Sequence, residues 1–263
     1  MARSFPSHPD AAPVPFDACA YFFPEKNAGG FSRHNTTVQF YVRVNALLRS
    51  DMTVLDFGAG RGAGVVDERR PFVRDLRNLR GKVRRVIGVD VDPVVTANPT
   101  LDEAFVLPPA GGADLSLPLA DESVDLILSD WTFEHIEHPA AMAAEFHRVL
   151  RPGGWVCART PNKWGYIALG ARIIPEALHD RVLAYLQPAR QKRDVFPTFY
   201  SVNSTSEVDN VFPNDQWANF SYTVEGEPAY ASNVRMLWKT FLLLSLVTPS
   251  LFRPILLVFV RKC

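Results

Sequence analysis

Cysteine is scarce in this chain: Cys19, Cys157 and Cys263 are its only three, far apart and without a Cys-x-x-Cys pair. That excludes a disulfide framework and a thiolate zinc site, and fits a reducing cytosol, so a cytoplasmic location is expected. An excess of either charge is missing too. Lys and Arg total 28, as do Asp and Glu, so no global field gathers nucleic acid or an anionic membrane. The one basic stretch, from Arg69 to Arg85, has Asp67 and Glu68 beside it and Asp75 within it. It reads as a solvated helix face rather than a phosphate track. No apolar leader follows Arg3, only prolines and Asp10, so no secretory signal is expected. A membrane span is not expected either, because Lys239, Pro249, Arg253 and Pro254 interrupt the apolar stretch from Leu237 to Val260. No internal repeat is visible.

What the chain does have is an alternation of short apolar runs with helical spacing. Residues 1–30 carry Pro6, Pro9, Pro13, Pro15 and Pro24, which deny a regular helix and predict an extended arm. Residues 34–49 place Val38, Tyr41, Val42, Asn45 and Leu48 at helical spacing, with Thr36 or Thr37 as cap. Apolar strands are expected at Thr53–Phe57, Val86–Val89, Asp125–Ser129 and Trp155–Arg159. Helices are expected at Arg70–Leu79 and Ala140–Leu150, the latter stopped by Pro152-Gly153-Gly154. Such alternation means a mostly parallel sheet buried on both faces, a doubly wound α/β fold. The core is placed at residues 31–162. Residues 163–233 read as an acceptor-side insertion followed by late sheet strands, with Phe220–Glu225 the best later strand. Residues 234–263 read as an apolar helical tail. Core helices are the first reading of that tail, and an interfacial anchor presenting a lipid-linked acceptor is the other.

Two motifs mark a binding crevice. Asp56-Phe57-Gly58-Ala59-Gly60-Arg61-Gly62 is a glycine-rich turn after a strand, where absent side chains let backbone approach a ligand. Asp90 closes the next strand, Val86–Val89, where a carboxylate can accept both hydroxyls of a ribose. Alone, each has other readings. Gly58-x-Gly60-x-x-Ala63 also satisfies a loose dinucleotide pattern, and Asp90 can simply cap a turn before Pro93.

Residues 117–162 decide between them: LPLADESVDLILSDWTFEHIEHPAAMAAEFHRVLRPGGWVCARTPN. With the glycine loop and Asp90, this ordered set resembles the class I S-adenosylmethionine-dependent methyltransferases, type 11 branch, densely over residues 53–162. The resemblance implies a Rossmann-like, mostly parallel seven-stranded sheet with an inserted helical lid and a helical C-terminal tail. It implies S-adenosylmethionine as cofactor, with Asp56, Gly58 and Gly60 cradling its methionine part and Asp90 holding its ribose. Ser129 would line the sulfonium end. Where the family often has an acid near the adenine this chain has Ala113, with Asp114 next door as the candidate. A further departure is Asp67-Glu68-Arg69-Arg70-Pro71 after the glycine loop, which displaces the expected helix start. An NAD-dependent oxidoreductase fits less well, since Asp90 lies 30 residues past Gly60 where about 20 are expected. A methyltransferase-fold binding protein without activity is the third reading.

For a general base, needed only if the acceptor gives up a proton, the candidates are His135 and then Asp130. Some relatives hold a divalent ion with Glu-x-x-Glu-His. Here Trp131 replaces the first glutamate, leaving Glu134 and His135, and no metal is expected. The acceptor reads as a small molecule, a glycan or a lipid-linked group. Tyr166, His179, Tyr200 and the DVFPTFYSVN stretch from Asp194 are candidates for its pocket wall, Tyr166 and Tyr200 foremost.

Overall fold

The computed structural model describes residues 16–108, 115–166, 168, 197–228, 231 and 233–263. Most of the expected lid, His179, Asp114 and the first half of the N-terminal arm lie outside the described residues.

One mixed sheet organises the chain. Its strands are β1 (Thr53–Phe57), β2 (Arg85–Asp90), β3 (Glu103–Val106), β4 (Val124–Asp130), β5 (Leu150–Pro161), β6 (Trp217–Asn219), β7 (Tyr222–Val224) and β8 (Ile255–Lys262). The order is β3-β2-β1-β4-β5-β8-β6, with β7 also on β8. β3, β2, β1, β4 and β5 run parallel, and β8 is antiparallel to β5, with Ile255 opposite Pro161 and Arg261 opposite Trp155. Both faces of the central strands are apolar. Leu55, Ile127, Val156 and Val258 belong to one core, while Val54, Leu126, Cys157 and Leu257 belong to the other. Alternation along a strand thus splits a continuous apolar run between two layers.

The helices are α1 (Ala18–Phe22), α2 (Thr36–Leu47), α3 (Ala63–Val66), α4 (Pro71–Arg77), α5 (Pro139–Val149), α6 (Thr205–Val211) and α7 (Arg235–Val247). α5 packs Met142, Phe146 and Val149 on the first core; α2 packs Phe40, Tyr41 and Val44 on the second. Asn35, not Thr36 or Thr37, caps α2, its Oδ1 accepting from the Val38 amide at 3.0 Å. The threonine hydroxyls instead accept from Arg159. After the glycine loop a single turn, α3, forms at once, and the longer α4 starts only at Pro71, in the first-turn position proline favours.

The sheet has the seven positions expected, and the strand predicted at Phe220–Glu225 is the second half of an interrupted edge. Its halves, β6 and β7, both pair with β8, and between them the Ser221 hydroxyl accepts from the Phe259 amide. Two other expectations, on the tail and the arm, are corrected. The helical tail is helix only to Val247, and Ile255–Lys262 is a strand between β5 and β6. The arm is not wholly extended either. A five-residue helix, α1, fits between Pro15 and Pro24, capped by Asp17, and buries Ala18 and Cys19 beside Trp238 of α7. In the basic stretch, Arg70, Arg80, Lys82 and Arg85 are each paired with an acid.

Candidate functional site

A cleft of about 940 Å³ opens at the carboxyl ends of β1, β2 and β4, where the strand order reverses between β1 and β4 and open α/β sheets bind ligands. Its floor is the glycine loop. The Gly58 and Ala59 amides donate to Val89 O at 2.8 and 3.2 Å, and the Gly60 amide donates to Asp90 Oδ2 at 2.8 Å. Gly58 and Gly62 have φ of +81° and +74°, which side chains rarely adopt. A Cβ on Gly58 would meet Thr132 Oγ1 at 2.2 Å, and one on Gly62 would meet Asn98 Oδ1 at 2.4 Å. The loop is therefore moulded against β2 and the turn after β4. Asn98 completes the mould, its amide donating to the carbonyls of Ala59 and Gly60 at 3.1 Å each.

Three aspartates face this space, with Glu137 also on its wall. Asp90 accepts the Gly60 amide on one oxygen and the Asp92 amide on the other, which leaves each oxygen a further lone pair. Asp56 lines the cleft between Asp90 and Asp130. Burial and those two like charges push its carboxyl up to about 7, against the pull of Arg77. Asp130 is clamped. Arg159, almost wholly buried, donates to both of its oxygens at 2.7 and 2.9 Å, and Arg77 and Tyr41 each donate to Oδ2 at 3.2 Å. Arg159 also reaches Thr36 and Thr37 and lies 5.0 Å from the Trp131 ring. The second candidate base is thus an anchor joining β4, β5 and α2: two guanidiniums and a phenol already use its charge.

His135 lines the cleft, and its Nδ1 lies 2.7 Å from Pro197 O. A carbonyl only accepts, so Nδ1 carries the proton of the neutral ring and Nε2 is its acceptor nitrogen. The neighbouring Glu134 points the other way. Its carboxylate is buried and accepts from Thr160 at 2.9 Å, and burial raises it above the usual carboxylate range. Its carbonyl holds the amides of Phe199 and Tyr200. The Glu134–His135 pair therefore clasps the 197–200 segment over the cleft, where Pro197 and Phe199 form part of the wall.

The sequence-predicted residues divide accordingly. Asp56, Gly58, Gly60, Asp90, Asp130 and His135 come together around one cleft. Ser129 does not line it: fully buried, it donates to Phe57 O at 3.1 Å and staples β4 to β1. Tyr166 and Tyr200 are not among the lining residues. Tyr166 donates to Glu225 Oε2 at 3.2 Å, and Tyr200 is offset by one residue from Phe199. Of the DVFPTFYSVN stretch, Pro197 and Phe199 do line the cleft. Sequence reading missed Asn98, Arg77, Thr132 and Arg159, which sit in no motif of their own, although Arg159 is flanked by the Pro-Gly-Gly strand and Thr160-Pro161-Asn162.

Residues 55–158 match the family described as "Methyltransferase domain". A Mycolicibacterium smegmatis protein named as a probable S-adenosylmethionine-dependent methyltransferase is 34% identical over 115 residues, covering 42% of this chain and 38% of that protein. An uncharacterized methyltransferase of Mycobacterium avium is 39% identical over 74 residues, 27% of this chain and 28% of that one. The match thus spans well under half of the length of these relatives. Among solved structures, the geranyl diphosphate C-methyltransferase of Streptomyces coelicolor A3(2) covers 87% of this chain and 80% of its own, with TM-score 0.52 and 14% identity. The Haloferax volcanii protein solved with the Trm112 methyltransferase activator covers 93% of both chains, with TM-score 0.51 and 18% identity. These two share the fold. Residues 55–158, which carry the glycine loop, Asp90 and the strands around them, are thus what this chain shares with S-adenosylmethionine-dependent methyltransferases.

Proposed function

We propose that the chain binds S-adenosylmethionine in the cleft and transfers its methyl group to a small-molecule, glycan or lipid-linked acceptor. One observation carries this reading: the moulded glycine loop and the Asp90 carboxylate face the same cleft at the reversal of strand order. The fit of the cofactor rests on the shape of the loop, which positions 58 and 62 hold because a Cβ there would strike Thr132 or Asn98. Asp90 would hold the ribose hydroxyls with its remaining lone pairs, and the Gly58–Gly62 backbone and Asp56 would hold the amino-acid end. The cofactor supplies an activated, sulfonium-bound methyl, so little covalent chemistry is asked of the protein.

The protein's part is to align the acceptor and exclude water. Pro197 and Phe199, clasped by Glu134, present apolar surface for this. His135, its tautomer set by Pro197 O, offers Nε2 to an acceptor that must lose a proton.

The test is calorimetric binding of S-adenosylmethionine, together with a labelled-methyl assay across extract fractions of the source organism. Native protein should bind the cofactor and label an acceptor. Asp90→Ala should weaken binding by about 1.5–3 kcal/mol, some ten- to hundredfold, and Asp90→Asn, which keeps an acceptor for the Gly60 amide, should weaken it less. His135→Asn should leave binding intact and slow transfer. Binding of NAD in place of S-adenosylmethionine, or equal binding by Asp90→Ala, would overturn the reading.

A further inference from the structure

The surface of α7 is unusual for a helix packed on a domain. One side is fixed: Trp238, buried, stacks on Phe22 at 5.8 Å, and Leu237, Phe241 and Leu242 pack beside Ala18 and Cys19. The other side presents Met236, Leu243, Leu246 and Val247 at 77, 66, 81 and 75% exposure. Positions 236, 243 and 247 form one stripe at helical spacing, with 246 beside it. The stripe continues into the following turn, where Leu251 and Phe252 are exposed as well. Single exposed leucines need no explanation, but a contiguous apolar face of this kind marks a contact surface.

Its place in the fold and its charge narrow the occupant. Because β8 runs antiparallel to β5, the turn before Ile255 lies at the carboxyl end of β5, the edge on which the cleft opens. Asn162 locks the turn there by donating to Leu251 O and Arg253 O at 2.8 Å each. It also brings Trp164 to the same edge, since Gly165 packs so tightly that a Cβ would lie 2.7 Å from Pro254 Cα. From Pro228 to Pro254 the chain carries Arg235, Lys239 and Arg253 and no acidic residue. Of the acids nearest in sequence, Glu227 is held by Ser32, and Glu225 by Tyr166 and the charge of Arg253. Pairing α7 with the α7 of a second copy would set Lys239 and Arg235 against the same cations, whereas an anionic surface complements them.

We propose that this face docks on an anionic lipid bilayer, with α7 lying flat in the headgroup region and the cleft edge turned toward the membrane. At 13 residues α7 is about 20 Å long, and no described helix is long and apolar enough to cross a membrane. Partial burial of an apolar stripe beside lysine and arginine is the binding mode of such a helix. It depends on the fold alone and not on methyl transfer.

The test is co-sedimentation of the full chain with vesicles of phosphatidylcholine, with and without phosphatidylglycerol. The protein should bind the anionic vesicles, bind pure phosphatidylcholine less, and be released by salt as screening shortens the reach of Lys239 and Arg235. Leu243→Glu with Leu246→Glu, both at exposed positions, should lower the partition coefficient at least about tenfold while leaving the thermal midpoint unchanged. Lys239→Glu should weaken anionic binding alone. Absence of binding to anionic vesicles at low salt, or binding untouched by the double substitution, would overturn the proposal. So would a dimer in solution that the double substitution abolishes, which would assign the face to a second copy.

Discussion

Asp56 carries the least comfortable charge in the cleft. It stands on β1 between Asp90 and Asp130, and its carboxyl is raised to about 7 by burial and by those neighbours, with Arg77 pulling the other way. In the unfolded chain an aspartate titrates near 3.9, so between that value and about 7 the folded chain holds a proton that the unfolded chain has lost. The stabilisation from this protonation is fully present below the unfolded value and is lost as pH rises to about 7. A cationic ligand reverses the preference, because it favours the ionised carboxylate. S-adenosylmethionine affinity should therefore fall as pH drops through 7, by up to about tenfold per pH unit. Calorimetry from pH 6 to 8 reads the slope, and Asp56→Asn should flatten it. A native protein whose affinity does not change over that range would separate Asp56 from the ligand's charge.

Between residue and domain, the turns decide what the strands present. The turn after β1 accepts no side chain at Gly58, where a Cβ would come within 2.2 Å of Thr132 Oγ1 and φ is +81°. Gly58→Ala should cost about 1–3 kcal/mol in urea unfolding and weaken cofactor binding. Adding Thr132→Ala should recover part of the stability, leaving the backbone strain. Equal stability of native and Gly58→Ala proteins would show the loop to be freer than its contacts imply. The turn after β4 sends Glu134 into the core and His135 into the cleft, so the two do not converge on an ion, and Trp131 supplies no ligand. Methyl transfer should survive excess EDTA; loss of turnover with EDTA and recovery with magnesium would reverse that reading. These turns were legible in the sequence because glycine has few roles after an apolar strand. β8 was not. Its Ile-Leu-Leu-Val-Phe-Val run is apolar on both faces, and periodicity does not separate a buried strand from a buried helix. The split between β6 and β7 was equally hidden, since it depends on a serine hydroxyl meeting the Phe259 amide of another strand.

At the scale of the molecule, the parallel half of the sheet and the cofactor side of the cleft could be read from local patterns. Each of those strands and its turn sits within a few residues of sequence. The parts that could not be read are assembled from distant segments. Arg159 closes on Asp130 and on the first turn of α2, 122 and 123 residues earlier, and the 197–200 wall is held by the main chain of Glu134. The placement of β8 has a consequence for how the protein is made. It is the last strand among the described residues, yet it lies inside the sheet, between β5 and the β6–β7 edge. While the chain emerges from the ribosome, the long edge of β5 stays open, and β6 and β7 have nothing to pair with, until residues beyond Pro254 leave the exit tunnel. The parallel half can assemble during synthesis, but the sheet closes only once Ile255–Lys262 has left the tunnel, and until then that open edge is the nascent chain's exposure to misassembly and to chaperones.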